Sequence, residues 1–152
     1  TMSKQEDIRV GESMEQEVIS RLNNKPLIHA YKSRITKNKN YDLIIVFESA
    51  EIQTFTGEVK FDKMATKTGN VAIEYRNSQY NIESGMDCTL ANFWFICFED
   101  GRIWWTKTQD LREYVRNNQP VKMVANAGDG NASILLYRKS DILQIFNELK
   151  DD

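Results

Sequence analysis

The sequence has one histidine, His29, and two cysteines, Cys88 and Cys97. Metal centres built on imidazole or thiolate need several such ligands at set spacings, so neither kind is the basis of a site here. His29 falls in a strand-like segment and is read as packed or surface-exposed. With no secretory context around them, the two cysteines are read as reduced thiols. No apolar run approaches the roughly 20 residues of a membrane span, and Thr1–Asp7 has no signal-peptide core. A cytoplasmic protein without a membrane partner is therefore expected. No repeat, linker or low-complexity tract interrupts the chain, and 152 residues suit a single domain over 1–152 with a real core. The glycine-bearing stretch Asn126–Asn131 lacks the Gly-Lys-Ser/Thr ending of a phosphate loop.

What is present is an acid, a second acid and a lysine on two neighbouring strand-patterned runs. The first is Tyr41-Asp42-Leu43-Ile44-Ile45-Val46, and the second is Phe55-Thr56-Gly57-Glu58-Val59-Lys60-Phe61. Strand side chains alternate, so Glu58 and Lys60 share one face while Phe55, Gly57, Val59 and Phe61 take the other. A hairpin through Glu48–Glu51 lays the runs side by side and brings Asp42 near Glu58. Two carboxylates about 4 Å apart repel by roughly 4 kcal/mol at an effective dielectric of 20. Such a pair keeps a proton or holds a cation. The lysine two residues on argues for a cation and an anionic substrate, and oxygen-only ligands suit Mg²⁺ or Mn²⁺.

An acid-x-Lys tripeptide also arises by chance, about once or twice in a chain this charged. Glu148-Leu149-Lys150 is such a copy. It lies in Ser140–Leu149, where Ile142, Leu143, Ile145, Phe146 and Leu149 recur at helical spacing. On that closing helix the acid and the lysine would not face each other. An ordinary solvated sheet face is the alternative reading of Glu58 and Lys60 themselves.

Asp42 followed by Glu58-Val59-Lys60 resembles the signature of the PD-(D/E)XK nuclease superfamily, with Tyr41 in place of the proline. Upstream, Gly11-Glu12-Ser13-Met14-Glu15-Gln16-Glu17-Val18-Ile19-Ser20-Arg21-Leu22 is similar to the first helix of archaeal-type Holliday junction resolvases. The resemblance implies an α/β fold with a restriction-endonuclease-like core, a mixed β-sheet flanked by helices. It implies a Mg²⁺ ion, with Mn²⁺ as substitute, held by Asp42, Glu58 and the main-chain carbonyl of Val59. Lys60 would assist the attacking water, and Glu15 would approach the metal from the helix. Glu12, Glu15 and Glu17 are also acids that a helix start favours through its dipole. The function implied is a metal-dependent DNA endonuclease of the resolvase type, a homodimer acting on branched DNA in a bacterial, archaeal or phage-infected cell, with a phage gene among its sources. Open beside it are a sequence-specific restriction or homing endonuclease, an end-processing exonuclease, and a non-catalytic DNA-binding protein that keeps the fold.

The net charge of −2 does not mark a nucleic-acid binder, but the placement of charge does more. From Lys25 to Asn40 the chain carries Lys25, Lys32, Arg34, Lys37 and Lys39 with no acid, and Lys63 and Lys67 follow the second run. Lys32, Arg34, Lys37, Lys39, Lys63 and Lys67 are the candidate contacts to a phosphate backbone. The remaining pattern predicts a helix near Glu12–Asn23 and strands near Leu27–Tyr31, Asp42–Phe47, Gln53–Phe61 and Asn70–Arg76. In the last of these, Glu74 faces away from Val71, Ile73 and Tyr75 and is a possible additional acid. Asn77–Asn92 reads as a loop. Phe93–Phe98 is apolar throughout, as a strand buried on both faces would be. Asp100-Gly101 turns the chain into Arg102–Thr106, a helix runs on to Asn117, and Ile134–Tyr137 is the last strand before the closing helix.

Overall fold

In a computed structural model of the chain, the structure describes residues 3–34, 41–77, 89, 91–127 and 132–151. Lys37, Lys39, Cys88 and most of the Asn77–Asn92 and Asn126–Asn131 loops lie outside the described residues. Helix α1 spans Lys4–Asn23. It begins well before the expected Glu12, because Ser3 and Glu6 form a capping box in which each side chain accepts from the other's backbone N–H, at 3.1 and 3.3 Å. The apolar stripe could not reveal these first turns, since their side chains are mostly solvent-exposed.

Strands β1 (Ile28–Lys32), β2 (Leu43–Glu48) and β3 (Ile52–Asp62) form an antiparallel meander. Helix α2 (Ala65–Thr68) and strand β4 (Asn70–Asn77) follow, and the chain returns as β5 (Phe93–Phe98), parallel to β3. Then come β6 (Ile103–Lys107), α3 (Thr108–Asn117), β7 (Lys122–Ala127), β8 (Ala132–Arg138), α4 (Lys139–Ile142), a 3-10 turn and β9 (Asn147–Glu148). Two sheets result: a mixed one in the order β1-β2-β3-β5-β6-β9 and an antiparallel one in the order β4-β8-β7. The mixed sheet with flanking helices is the expected fold class. No helix is long and apolar enough to cross a membrane among the described residues.

The mixed sheet is covered on both faces. Val18 and Leu22 of α1 pack on Ala30, Leu43, Ile45, Phe95 and Cys97. Burial pushes the Cys97 thiol up to about 12, so it packs as an apolar side chain. On the opposite face Trp94, Ile96 and Phe98 meet Val71, Ile73 and Leu135 of the smaller sheet and Leu111 of α3. The uniformly apolar run Phe93–Phe98 is thus a central strand and belongs to the core.

Two expectations are corrected. Strand β7 was not foreseen, because Lys122, Met123 and Ala125 are exposed on the edge of the smaller sheet and leave no alternation to read. The closing helix Ser140–Leu149 is also wrong, since only Lys139–Ile142 is α-helical and Asn147–Glu148 pairs with β6. Phe146 enters the cluster beneath the smaller sheet, whereas Leu149 enters the cluster beneath α1. Residues three apart share a side of a helix but lie on opposite faces of a strand. Filling both cores therefore requires the extended form, and Glu148-Leu149-Lys150 is not helical.

Candidate active site

Leu43 pairs with Gly57, so Asp42, one residue before β2, stands opposite Glu58 on β3. The Asp42 N–H donates to the Gly57 carbonyl at 2.8 Å, and the Asp42 carboxylate accepts from the Val59 N–H, also at 2.8 Å. Asp42 thereby satisfies the edge of β3 just where β2 gives out. A strand residue directs its N–H and C=O to the same edge, so the Val59 carbonyl points to this side as well. Val59 and Phe61 pack beneath α1, which leaves Glu58 and Lys60 on the opposite face, as expected from the alternation.

Lys60 Nζ lies 3.3 Å from Glu58 Oε1 and 5.6 Å from the centre of the Trp94 ring. Trp94 is the β5 partner of Glu58 and forms the apolar floor below both charges. Burial pushes the Glu58 carboxyl up to about 7; Asp42 and Glu74 add to the rise while Lys60 opposes it. Burial works against the Lys60 charge too, but the Glu58, Glu74 and Asp42 carboxylates hold its pKa above the ordinary value. Glu74 comes from the smaller sheet, and it shares with Lys60 a cleft of about 430 Å³ that Lys63 also lines. The structure therefore gathers Asp42, Glu58, Lys60 and Glu74 around one place.

The donor set fits a hard cation. Two carboxylates and a carbonyl offer only oxygen, and a carboxyl held at about 7 by burial and neighbouring acids is relieved by a positive charge. No cluster of three or more acids, imidazoles or thiols is placed to hold a metal among the described residues. A cation here would keep several positions for water and substrate oxygens, as Mg²⁺ commonly does.

Glu15 lies 3.6 Å from Lys32. Lys32 pairs with Leu43, so this contact is on the α1 side of the sheet, across from Glu58 and Lys60. Lys63 approaches Asp7 at 3.9 Å, and Lys67 and Arg34 are exposed. Sequence reading overlooked Asp62, a buried acid whose carboxylate accepts from the Met64, Ala65 and Ala72 N–H groups at 3.1, 3.0 and 2.8 Å. It fixes the end of β3 to α2 and β4 and so holds Glu74 over Lys60. Its position on the Glu58 and Lys60 face was the available signal.

The second acid-x-Lys copy differs in its surroundings. Glu148 stands opposite Trp104, so no strand acid faces it.

No family model matches the sequence, and no curated protein matches it. Among solved structures, the fold is similar to that of a bacterial homing endonuclease, I-Ssp6803I, with a TM-score of 0.52 and 18% sequence identity over 68% of this chain and 70% of that one. At that identity the likeness is one of fold. This chain is accordingly a mixed-sheet α/β protein that shares its fold with a homing endonuclease, and it carries two acids and a lysine at the end of its central strands.

Proposed function

We propose that the protein is a Mg²⁺-dependent endonuclease that hydrolyses phosphodiester bonds in DNA. The observation that carries this reading is Asp42 opposite Glu58 on adjacent strands, with Lys60 3.3 Å from Glu58 and facing an open cleft. The shared fold with a homing endonuclease supports it. Asp42, Glu58 and the Val59 carbonyl would hold Mg²⁺, or Mn²⁺ as substitute, which when bound polarises a phosphoryl oxygen and eases ionisation of water. Lys60, with its pKa held above the ordinary value, stays an ammonium at neutral pH. It therefore orients the water and offsets charge developing on the phosphate instead of accepting a proton. Glu74 keeps Lys60 charged, whereas Glu15, held by Lys32 on the other face of the sheet, lies apart from these groups.

Two readings of the substrate are supported by different features. The resemblance of Gly11–Leu22 to junction resolvases favours a homodimer on branched DNA, whereas the fold likeness favours a specific duplex sequence. Incubation with linear, supercoiled, single-stranded and four-way-junction DNA separates them. Cutting should require Mg²⁺ or Mn²⁺ and cease in chelator. Asp42→Ala, Glu58→Ala and Lys60→Ala should each lower turnover by about 100-fold or more, and Lys60→Ala should leave affinity in Ca²⁺ nearly intact. Junction DNA outcompeting linear duplex would support the resolvase reading; cutting confined to one base sequence would support the homing reading. Full activity in excess chelator refutes the metal mechanism, and undiminished binding without cutting in any metal leaves a DNA-binding module.

A further inference from the structure

A second cleft, of about 700 Å³, lies between α3 and the smaller sheet. Arg112 and Arg116 line it together with the amides of Asn117 and Gln119, and no carboxylate does so among the described residues. The arginines are one helical turn apart and project from the same side of α3. The acids of that helix, Asp110 and Glu113, line a different depression with Tyr114. Helix α3 thus separates its charges by side, in a chain that has more acids than bases overall. Arg112 is anchored by donating to the Thr89 carbonyl at 2.6 Å, whereas Arg116 is exposed and has no ion pair among the described residues. The negative end of the helix dipole favours a cation at Arg116, but it does not account for the absence of acids from the facing wall among the described residues. Paired guanidinium groups with amide donors beside them match the oxygens of a phosphate.

The position of this cleft gives it a role. Leu135 and Tyr137 of β8 line it, while Ile134 and Leu136, on the opposite face of the same strand, line the cleft of Lys60 and Glu74. The smaller sheet therefore stands between the two clefts. A sheet with its side chains is about 10 Å thick, and the major groove of B-DNA is about 12 Å wide. A duplex whose major groove straddled the sheet would meet both clefts.

We propose that the α3 cleft is a second anchoring site for the phosphate backbone of duplex DNA, on the far side of the smaller sheet from Glu58 and Lys60. The inference rests on the endonuclease reading above. It is tested by fluorescence anisotropy of a labelled linear duplex, with Ca²⁺ replacing Mg²⁺ to permit binding without turnover. Arg116→Gln should reduce the slope of log K against log salt by about 0.9 and weaken binding about eightfold at 0.1 M salt. Arg116→Lys should keep the wild-type slope. An unchanged slope in Arg116→Gln, with the wild type binding DNA, overturns the anchoring site and leaves the endonuclease reading standing. If Arg116→Gln loses only the binding of a free deoxynucleoside monophosphate, the cleft takes small phosphates and the duplex assignment is wrong. A wild type that binds no duplex in Ca²⁺ overturns both.

Discussion

Glu58 carries the most testable chemistry of any single residue. Its carboxyl binds a proton more tightly in the fold, at about 7, than at its ordinary value of 4.5. The folded state is therefore favoured most below pH 4.5 and loses stability as the pH rises from there through 7, by about 3 kcal/mol in all. Glu58→Gln, which cannot ionise, should be nearly flat over that range when unfolded with urea in chelator. At pH 8 in chelator it should be the more stable protein, whereas Mg²⁺ should raise the midpoint of the wild type alone. Parallel pH profiles for the two would show that burial does not raise the Glu58 carboxyl. Asp42, Glu58 and Lys60 were legible in the sequence because strand alternation and hairpin pairing are short-range rules. Glu74 was legible only as a candidate, since its approach to Lys60 depends on how the smaller sheet packs. The clustering of Arg112 and Arg116 in a cleft that no acid lines among the described residues was invisible, because the opposite wall is made by β8, far along the chain.

Among the elements, β3 bears the site and is held in place by its closest contact. A Cβ added at Gly57 would sit 3.0 Å from the Phe95 ring edge and 3.4 Å from Ile45 Cδ1. Both neighbours lie in the cluster beneath α1, so neither can move freely. Gly57→Ala should cost about 1–3 kcal/mol through overpacking, read as a lower urea midpoint with an unchanged denaturant slope. Because Gly57 receives the Asp42 N–H, turnover should fall by more than the lost stability explains. A variant as stable and active as the wild type would mean that β3 and β5 adjust there without effort. Strands β1, β2, β3, β5 and β6 of the mixed sheet were readable because each has a buried face or two. The β7 strand and the early turns of α1 have neither, and one hydrogen-bonded edge or cap decides them. The end of the chain misled for the opposite reason: Phe146 and Leu149 fit a helical stripe, yet they serve different cores.

At the scale of the whole molecule, a net charge of −2 conceals an uneven surface. Lys63 borders the cleft that contains Lys60, Lys67 lies in the adjoining α2, and Arg34 follows the edge strand β1. Their surroundings rank them as phosphate contacts. Lys32 is matched with the largely buried Glu15, so binding DNA would strip that acid of a partner. The contact of Lys63 with Asp7 is between two exposed groups at 3.9 Å, which solvent makes weak and readily exchanged. Arg34 and Lys67 have no ion pair to give up among the described residues. Each phosphate neutralised adds about 0.9 to the salt slope of binding, so Arg34→Ala, Lys63→Ala and Lys67→Ala should each reduce it by about that amount. Lys32→Ala should reduce it less and should also destabilise the fold. None of the four should alter base preference, because backbone contacts set position without reading sequence. Anisotropy titrations across a salt series, with duplexes of two unrelated sequences, provide the measurement. If Lys32→Ala gave the largest loss of slope, Glu15 would not be its resting partner, and the acid would be available to the site on the other side of the sheet.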